Sequence, residues 1–432
     1  MTLFRARHFL ACVIVSLPMA VSAQAERAAD TDVSIVAPGS PLGLRDAVVA
    51  ALRGNPDLKG FAFTLRAQEA RTDAAALRPA PEVSADLDNF LGTGSHKWLS
   101  SVEATFAISQ VIELGGKRNL RVDVARSGRD AIEIERKAAQ LDVLAEVGRR
   151  FIDVVANQQQ LDLARQGSEL ARQTAEAVQL RVDAARSPEA EIRRATVELK
   201  RANIEQQHVE RQLEVARAKL AAMWGATEAV YGPAQADLFS LPAVADFQTL
   251  IERLESNPDF ARFASEARVR DAELRLAQAR RTPDIQLSVG VRRLQDTRDQ
   301  ALIAGFSVPL FSRSQAAPAI AEARALRDRV ATDTDAHRIR VRTQLYELHQ
   351  ELRHSVAEAR LLQDELIPEL EKALEETRYA YERGRYSYLE LIDGQRAFLE
   401  VKRAQLDAAT NAQIIQTEIE RLTGESLAEP NP

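Results

Sequence analysis

The sequence predicts a mainly α protein with a small β part, in which long α-helical hairpins carry four short amphipathic strands. Three observations lead there. Aromatic residues make up only 5% of the 432 residues while Ala, Leu, Glu and Arg abound, the palette of long helices packed on one another. Proline-free helical patterns run far beyond the usual length of a globular helix. The third observation is that the chain is written twice.

Asn55-Pro56-Asp57-Leu58 recurs as Asn257-Pro258-Asp259-Phe260, about 202 residues later, and Pro81-Glu82-Val83 recurs at the same offset as Pro283-Asp284-Ile285. Trp224-Gly225 recurs as Thr423-Gly424, about 199 residues on. Self-similarity of this kind marks repeated structural units. Each copy reads helix, helix, strand, strand, long helix, long helix. The expected organisation is a leader over 1–25 and a first repeat over 26–225, with strands at 83–91 and 98–112. A second repeat follows over 226–424, with strands at 285–293 and 301–311, and then a tail over 425–432. Asn before Pro-Asp caps a helix, with Pro in its first turn. The helices end near Pro81 and Pro283, because the residue before proline disfavours helix.

The strand segments have period two. Val83, Ala85 and Leu87 alternate with Ser84, Asp86 and Asp88; Val102, Ala104, Phe106 and Ile108 alternate with Ser101, Glu103, Thr105 and Ala107. The second copy repeats this with Ile285, Leu287, Val289 and Val291, then Leu302, Ala304, Phe306 and Val308. A half-exposed sheet lying on helices would also alternate. Strand length favours a membrane, since about 9–11 tilted residues cross one. The polar face, with Asp86, Asp88, Glu103 and Arg292, suits a water-filled lumen, and Phe90 and Trp98 flank the first turn where an aromatic girdle would sit. Four strands cannot close a barrel, and open edges are not tolerated in lipid. Three copies would supply about 12 strands, a known barrel size.

The first long helix runs from Lys117 to about Ala184. The second is expected to take Ser187 as its cap and Pro188 as its first residue, and to end at Gly225. Its apolar seam, Ile192, Ala195, Leu199, Ala202, Val209, Leu213, Ala216, Leu220 and Met223, keeps 3,4 spacing broken only by Gln206. The second copy repeats the seam from Leu391 to Leu422, with Gln405 at the matching break. Sustained heptads mean knobs-into-holes packing between helices. The partner helix, from about Ala316 to Arg383, contains Pro368, which should kink it unless it marks a real break.

At the N-terminus, Arg5 and Arg7 precede an apolar run from Phe9 to Ala20 and a small-x-small site at Ala23-Gln24-Ala25, the pattern of a secretory signal. The run is short for a membrane anchor. Cys12, the only cysteine, falls inside it and sits poorly for lipidation, with too little apolar sequence before it. Cleavage would take the formal net charge from −6 to −8, which gives no hint of nucleic-acid binding.

Two tandem helical hairpins, each hung from a strand pair, resemble the plan of the TolC-type outer-membrane efflux proteins over about Leu42 to Gly424. Ser109-Gln110-Val111-Ile112-Glu113-Leu114-Gly115-Gly116-Lys117-Arg118 is similar to the strand-to-helix junction of the heavy-metal (CzcC-like) branch. Tyr381 to Asp393 resembles the tip of the second hairpin, and Leu422-Thr423-Gly424 the closing helix. The resemblance implies an outer-membrane channel subunit with a periplasmic extension. As a homotrimer it would form an α-barrel beneath a 12-stranded β-barrel. It would passively conduct solutes, for which the branch suggests heavy-metal cations, and would work with a periplasmic adaptor and an inner-membrane resistance-type pump.

The resemblance also implies sites. Ala185, Arg186, Ser187 and Pro188 on the first tip, and Gly384, Arg385, Tyr386, Ser387 and Leu389 on the second, would contact the adaptor. The first tip lacks the glycine of the second, so its turn is expected to be built differently. Glu390 and Asp393, at i, i+3 on one helix face, match acidic positions that ring the periplasmic entrance in the family. Arg383, Arg385 and Arg396 are near enough in sequence to hold a closed form by ion pairs.

No enzyme constellation is visible: there is no phosphate loop, no Gly-x-Ser-x-Gly elbow and no His-Glu-x-x-His. His349 and His354, five apart, read as solvated helix residues rather than ligands, and no metal or cofactor site is expected. Two other readings stay open: a periplasmic coiled-coil adaptor, and a secreted enzyme on a helical scaffold.

Overall fold

The computed structural model describes residues 37–96, 98–255 and 257–424. The leader with Cys12, Lys97 of the first strand turn and the tail over 425–432 lie outside the described residues. The described chain runs α1 (Leu44–Gly54), α2 (Pro56–Ala76), β1 (Glu82–Asp88), β2 (Glu103–Ile112), α3 (Lys117–Asp183) and α4 (Glu189–Ala221). The same order then returns as α5 (Phe247–Leu254), α6 (Pro258–Ala279), β3 (Ile285–Leu294), β4 (Gln300–Ser307), α7 (Ser312–Leu361), α8 (Ile367–Glu382) and α9 (Tyr388–Thr423).

The Asn-Pro-Asp motifs tie each copy to itself. The Asn55 side chain accepts from the Asp57 and Leu58 amides at 3.0 and 3.1 Å, capping α2, and donates to the Met223 carbonyl at 3.0 Å. Asn257 accepts from the Asp259 amide and donates to the Arg421 and Leu422 carbonyls, each at 2.8 Å. Both asparagines are buried. One side chain thus satisfies orphan N–H groups at the start of one helix and orphan C=O groups at the end of another. Gly225 and Gly424, the residues that end the closing helices, take left-handed φ of 79° and 72°, as a C-terminal helix stop requires.

The strands form one antiparallel sheet in the order β1-β2-β3-β4, so the two copies are joined through β2 and β3. Among the described residues, neither edge strand, β1 nor β4, has a strand on its outer side. Register stacks the apolar positions in rows: Ala85, Phe106, Val291 and Leu302 lie side by side, and so do Val83, Ile108, Val289 and Ala304. Three strands stop short of the expected bounds. β1 ends at Asp88 and β2 begins at Glu103 because Asn89, Leu91 and Trp98 take φ of 56–58°, which no strand accommodates. β4 ends at Ser307, two residues before Pro309, which has no N–H for the ladder.

At the junction below the sheet, Asp284 accepts from the Leu114 amide at 3.0 Å and from Lys117 Nζ at 2.8 Å. Arg121 holds Glu113 through both of its Nη nitrogens. The Gly115-Gly116 pair turns the chain with φ of 73° and 69°, and a Cβ on Gly115 would stand 3.1 Å from the Thr282 side chain.

α3 is 67 residues long, about 100 Å at 1.5 Å per residue. It packs on α4 to make the first hairpin and on α9 of the second copy. Buried residues cluster around Phe151, Val154 and Leu220, around Leu345, Leu352 and Ile419, and near the tips around Val178, Tyr381 and Leu391. Pro368 distorts the second hairpin as expected, but as a π-helical turn over Leu362–Leu366 between α7 and α8. A proline lacks the N–H for the i−4 carbonyl and clashes with it, and widening the turn relieves both.

Two expectations about side chains fail as well. Helix α4 starts one residue late, with Pro188 in the cap position and no side-chain cap bond; Ser187 Oγ instead accepts from Arg181 Nε at 3.2 Å. His349 is not solvated: it is buried on α7 and its Nε2 lies 3.0 Å from the Ala245 carbonyl, pinning the segment that leads into α5. His354 is exposed and pairs with Glu358.

Candidate gate, docking tips and lipid-facing sheet

The two hairpin turns have the same construction. In the first, the amides of Ala184, Ala185 and Arg186 donate to the carbonyls of Leu180, Val182 and Arg181; in the second, those of Arg383, Gly384 and Arg385 donate to Tyr379, Tyr381 and Ala380. The offset is the same at all six positions, and φ is 57° at Ala185 and 74° at Gly384. The expectation of a different first turn is therefore wrong. Packing of α3 on α4 imposes the left-handed residue, and alanine occupies it with a Cβ penalty of about 1–2 kcal/mol. Ala185→Gly should therefore stabilise the protein, by about 0.5–1 kcal/mol after glycine's extra unfolded entropy. Denaturant titration of the two proteins checks this, and a lower midpoint for the glycine variant would refute the strain.

At the second tip, Ser387 caps α9. Its Oγ accepts from the Glu390 amide at 3.4 Å, while the Glu390 carboxylate accepts from the Ser387 amide at 2.6 Å. This is a capping box, and Ser387-Tyr388-Leu389-Glu390 carries its Ser-x-x-Glu signature. The Ser387 amide holds the Glu390 carboxyl below the usual carboxylate range. Asp393, one turn on, is exposed like Glu390, so the two carboxylates stand on one open face next to the tip.

The arginines go elsewhere. Arg396 pairs with Glu198 on the first hairpin at 2.7 Å, and the Arg383 guanidinium lies over the Tyr379 ring at 4.4 Å. Neither pairs with Glu390 or Asp393. A second bridge joins Arg403 to Glu205 at 2.8 Å. Gln395 donates to Thr174 at 2.8 Å in a buried contact. Arg181 donates to the Tyr381 carbonyl and covers the Tyr381 ring at 4.6 Å. The sequence reading missed these ties between hairpins. One signal was available: Glu198 and Glu205, like Arg396 and Arg403, are a heptad apart, so each pair recurs on one helix face.

At the other end, the sheet keeps its apolar rows in the open. Val83, Leu302 and Phe306 are 79%, 85% and 79% exposed. On the opposite face Arg292 pairs with Glu103 at 3.0 Å and donates to Thr105 Oγ1 at 3.0 Å. Exposed Phe90 and Trp98 flank the β1–β2 turn, and exposed Leu310 and Phe311 follow β4 at the other end of the strands. Among the described residues, no group of three or more His, Cys, Asp or Glu is arranged to hold a metal ion, and no helix is long and apolar enough to cross a membrane.

The family model described as "Outer membrane efflux protein" matches residues 47–226 and again 250–425. The chain is 27% identical to the cobalt-zinc-cadmium resistance protein CzcC of Cupriavidus metallidurans, over 89% of this chain and 90% of that one. It is 28% identical to the nickel and cobalt resistance protein CnrC of the same organism, over 71% and 70%. The crystal structure of the outer membrane protein VceC from Vibrio cholerae superposes with a TM-score of 0.68 at 17% identity, covering 89% of this chain and 97% of that one, a shared fold.

Proposed function

The chain belongs to the outer membrane efflux protein family, and from that premise we propose that it is the exit duct of a tripartite efflux system. Three copies close their sheets edge to edge into twelve strands around a lumen, and their helical hairpins continue the duct into the periplasm. It conducts solutes passively from an inner-membrane resistance-type pump, through a periplasmic adaptor, to the exterior. Heavy-metal cations are the favoured cargo, since the relatives CzcC and CnrC are metal-resistance proteins. The duct reading makes the protein a conduit, with no catalytic step of its own. A coiled-coil adaptor is not favoured, because both copies match the channel family.

The observation that carries the reading is the sheet. Its apolar face is exposed and, among the described residues, both its edges are unpaired, a combination that neither water nor lipid tolerates in a lone chain. Association resolves both problems, the edges by pairing and the face by lipid. The polar face, with Asp86, Asp88, Glu103 and Arg292, then lines the water. The tips at Ala185–Pro188 and Gly384–Leu389 take the adaptor, and Glu390 with Asp393 guard the entrance.

The expected result is a trimer in detergent, measured by light scattering with the detergent contribution separated. A stable monomer with intact strands by circular dichroism would defeat the reading.

A further inference from the structure

Beside the second tip lies a cleft of about 410 Å³ between α4 of the first hairpin and α9 of the second. Arg193, Arg194 and Arg201 line it from α4, and Arg396 lines it from α9. Against these four guanidinium groups stand two carboxylates, Glu198 and Asp393. Glu198 is already shared between Arg396 at 2.7 Å and Arg201 at 3.4 Å. Arg193 has only an outward pair with Glu189 at 3.4 Å, in which both side chains are about four-fifths exposed. Arg194 has no hydrogen-bond or ion-pair partner among the described residues. The cleft therefore carries an excess of positive charge with a free donor on one wall.

A second, independent feature points to a ligand. Tyr388 lines the same cleft and is 4% exposed, and its hydroxyl has no hydrogen-bond partner. A buried hydroxyl left unpaired is costly, so something polar completes it. Burial pushes this phenol up, reinforced by Glu198 and the neighbouring Tyr381, while Arg396 and Arg194 oppose the shift. Glu198, Arg194 and Arg396 line the cleft together with Tyr388, and the neutral phenol keeps a proton to donate.

We propose that this cleft is a site for a small oxyanion of the phosphate class, held by Arg194 from the first hairpin, Arg396 from the second and the hydroxyl of Tyr388. Guanidinium groups are suited to such an ion by their planar paired donors. Its two walls belong to different hairpins, so a bound anion ties them together beside Glu390 and Asp393. If the hairpins part when the duct opens, the anion binds the closed arrangement better and stabilises it by that difference in affinity. Only this gating consequence rests on the duct reading; binding itself does not.

The test is calorimetric titration of the full-length protein in detergent with inorganic phosphate, against chloride at matched ionic strength. Saturable binding at one site per chain is expected. Arg194→Gln, at an exposed position, should weaken it at least tenfold. Tyr388→Phe, which keeps the ring in the core, should weaken it several-fold. Arg329→Gln, on the remote helix α7, should leave it unchanged. The proposal is overturned if wild-type protein shows no saturable heat, in which case water alone completes Tyr388. It is overturned equally if Arg194→Gln binds like wild type, or if Arg329→Gln loses as much as Arg194→Gln. Because no export is measured, each of these failures leaves the duct reading standing.

Discussion

Export by a Gly384→Val protein is expected to fall to background while its trimers persist in the outer membrane. Gly384 holds φ of 74° at the second tip, and its amide closes the turn on the Tyr381 carbonyl at 2.9 Å. A Cβ in this region costs about 1–2 kcal/mol, and β-branching makes a positive φ a genuine outlier. The space around the position is open, with only Arg181 Nη2 near, at 3.9 Å from an added Cβ, so the penalty is conformational rather than a clash. The turn relieves it by moving residues 383–387, the group proposed to meet the adaptor. The buried clusters around Phe151 and Leu345 and the four-stranded sheet lie elsewhere, which is why assembly survives. Gly384→Ala supplies the internal standard, because Ala185 already occupies the equivalent turn at 57°. Its export should lie between glycine and valine. The measurements are resistance or efflux in cells, with trimers quantified in outer-membrane fractions. Normal export by Gly384→Val would remove the second tip from the docking surface.

The contrast between Ala185 and Gly384 also shows where sequence reading stops. Elements set by local chemistry were legible. Asn55 and Asn257 announce helix starts, the period-two runs mark all four strands, and Pro368 marks a distortion of its helix. Glycine, too, announces a left-handed residue, as at Gly225 and Gly424. Its absence does not announce the opposite, since the hairpin's packing forces Ala185 into the same state. The facing ends of β1 and β2 are not legible, because Asn89, Leu91 and Trp98 adopt positive φ that no propensity would assign to Leu or Trp. The burial of His349 is not legible, because its partner, the Ala245 carbonyl, sits about 104 residues away and only the tertiary fold brings it near. At the tips, the residues of 384–390 come together because they are contiguous. The ties from Arg181, Thr174 and Glu198 to the second hairpin cross about 200 residues and depend on which helix lies beside which.

Replacing Glu390 and Asp393 together by alanine is expected to abolish block of the duct by divalent and polyvalent cations and to lower its cation selectivity. Both carboxylates are exposed, stand one turn apart beside the tip and, among the described residues, have no arginine partner; Arg396 is taken by Glu198. In a trimer they would set six charges around one axis, a ring that attracts cations. The pH response has a definite sign. The Ser387 amide holds the Glu390 carboxyl below the ordinary carboxylate range, so its charge is fully present above that range and is lost only as pH falls through the lowered value. Cation block by the wild type should accordingly persist through mild acidification and fade below the pH at which an ordinary glutamate would already be neutral. High salt should weaken the block by screening, the Debye length shrinking from about 10 Å at 0.1 M to about 3 Å at 1 M. Glu390→Ala alone also removes half of the Ser387 capping box, so its effect mixes charge with helix order. Glu390→Gln retains an acceptor for the Ser387 amide and separates the two. Single-channel recording in planar bilayers, with reversal potentials in asymmetric salt, decides the matter. If the double alanine variant keeps the wild-type reversal potential and the wild-type block, the pair lies on an outer solvated face and is no gate.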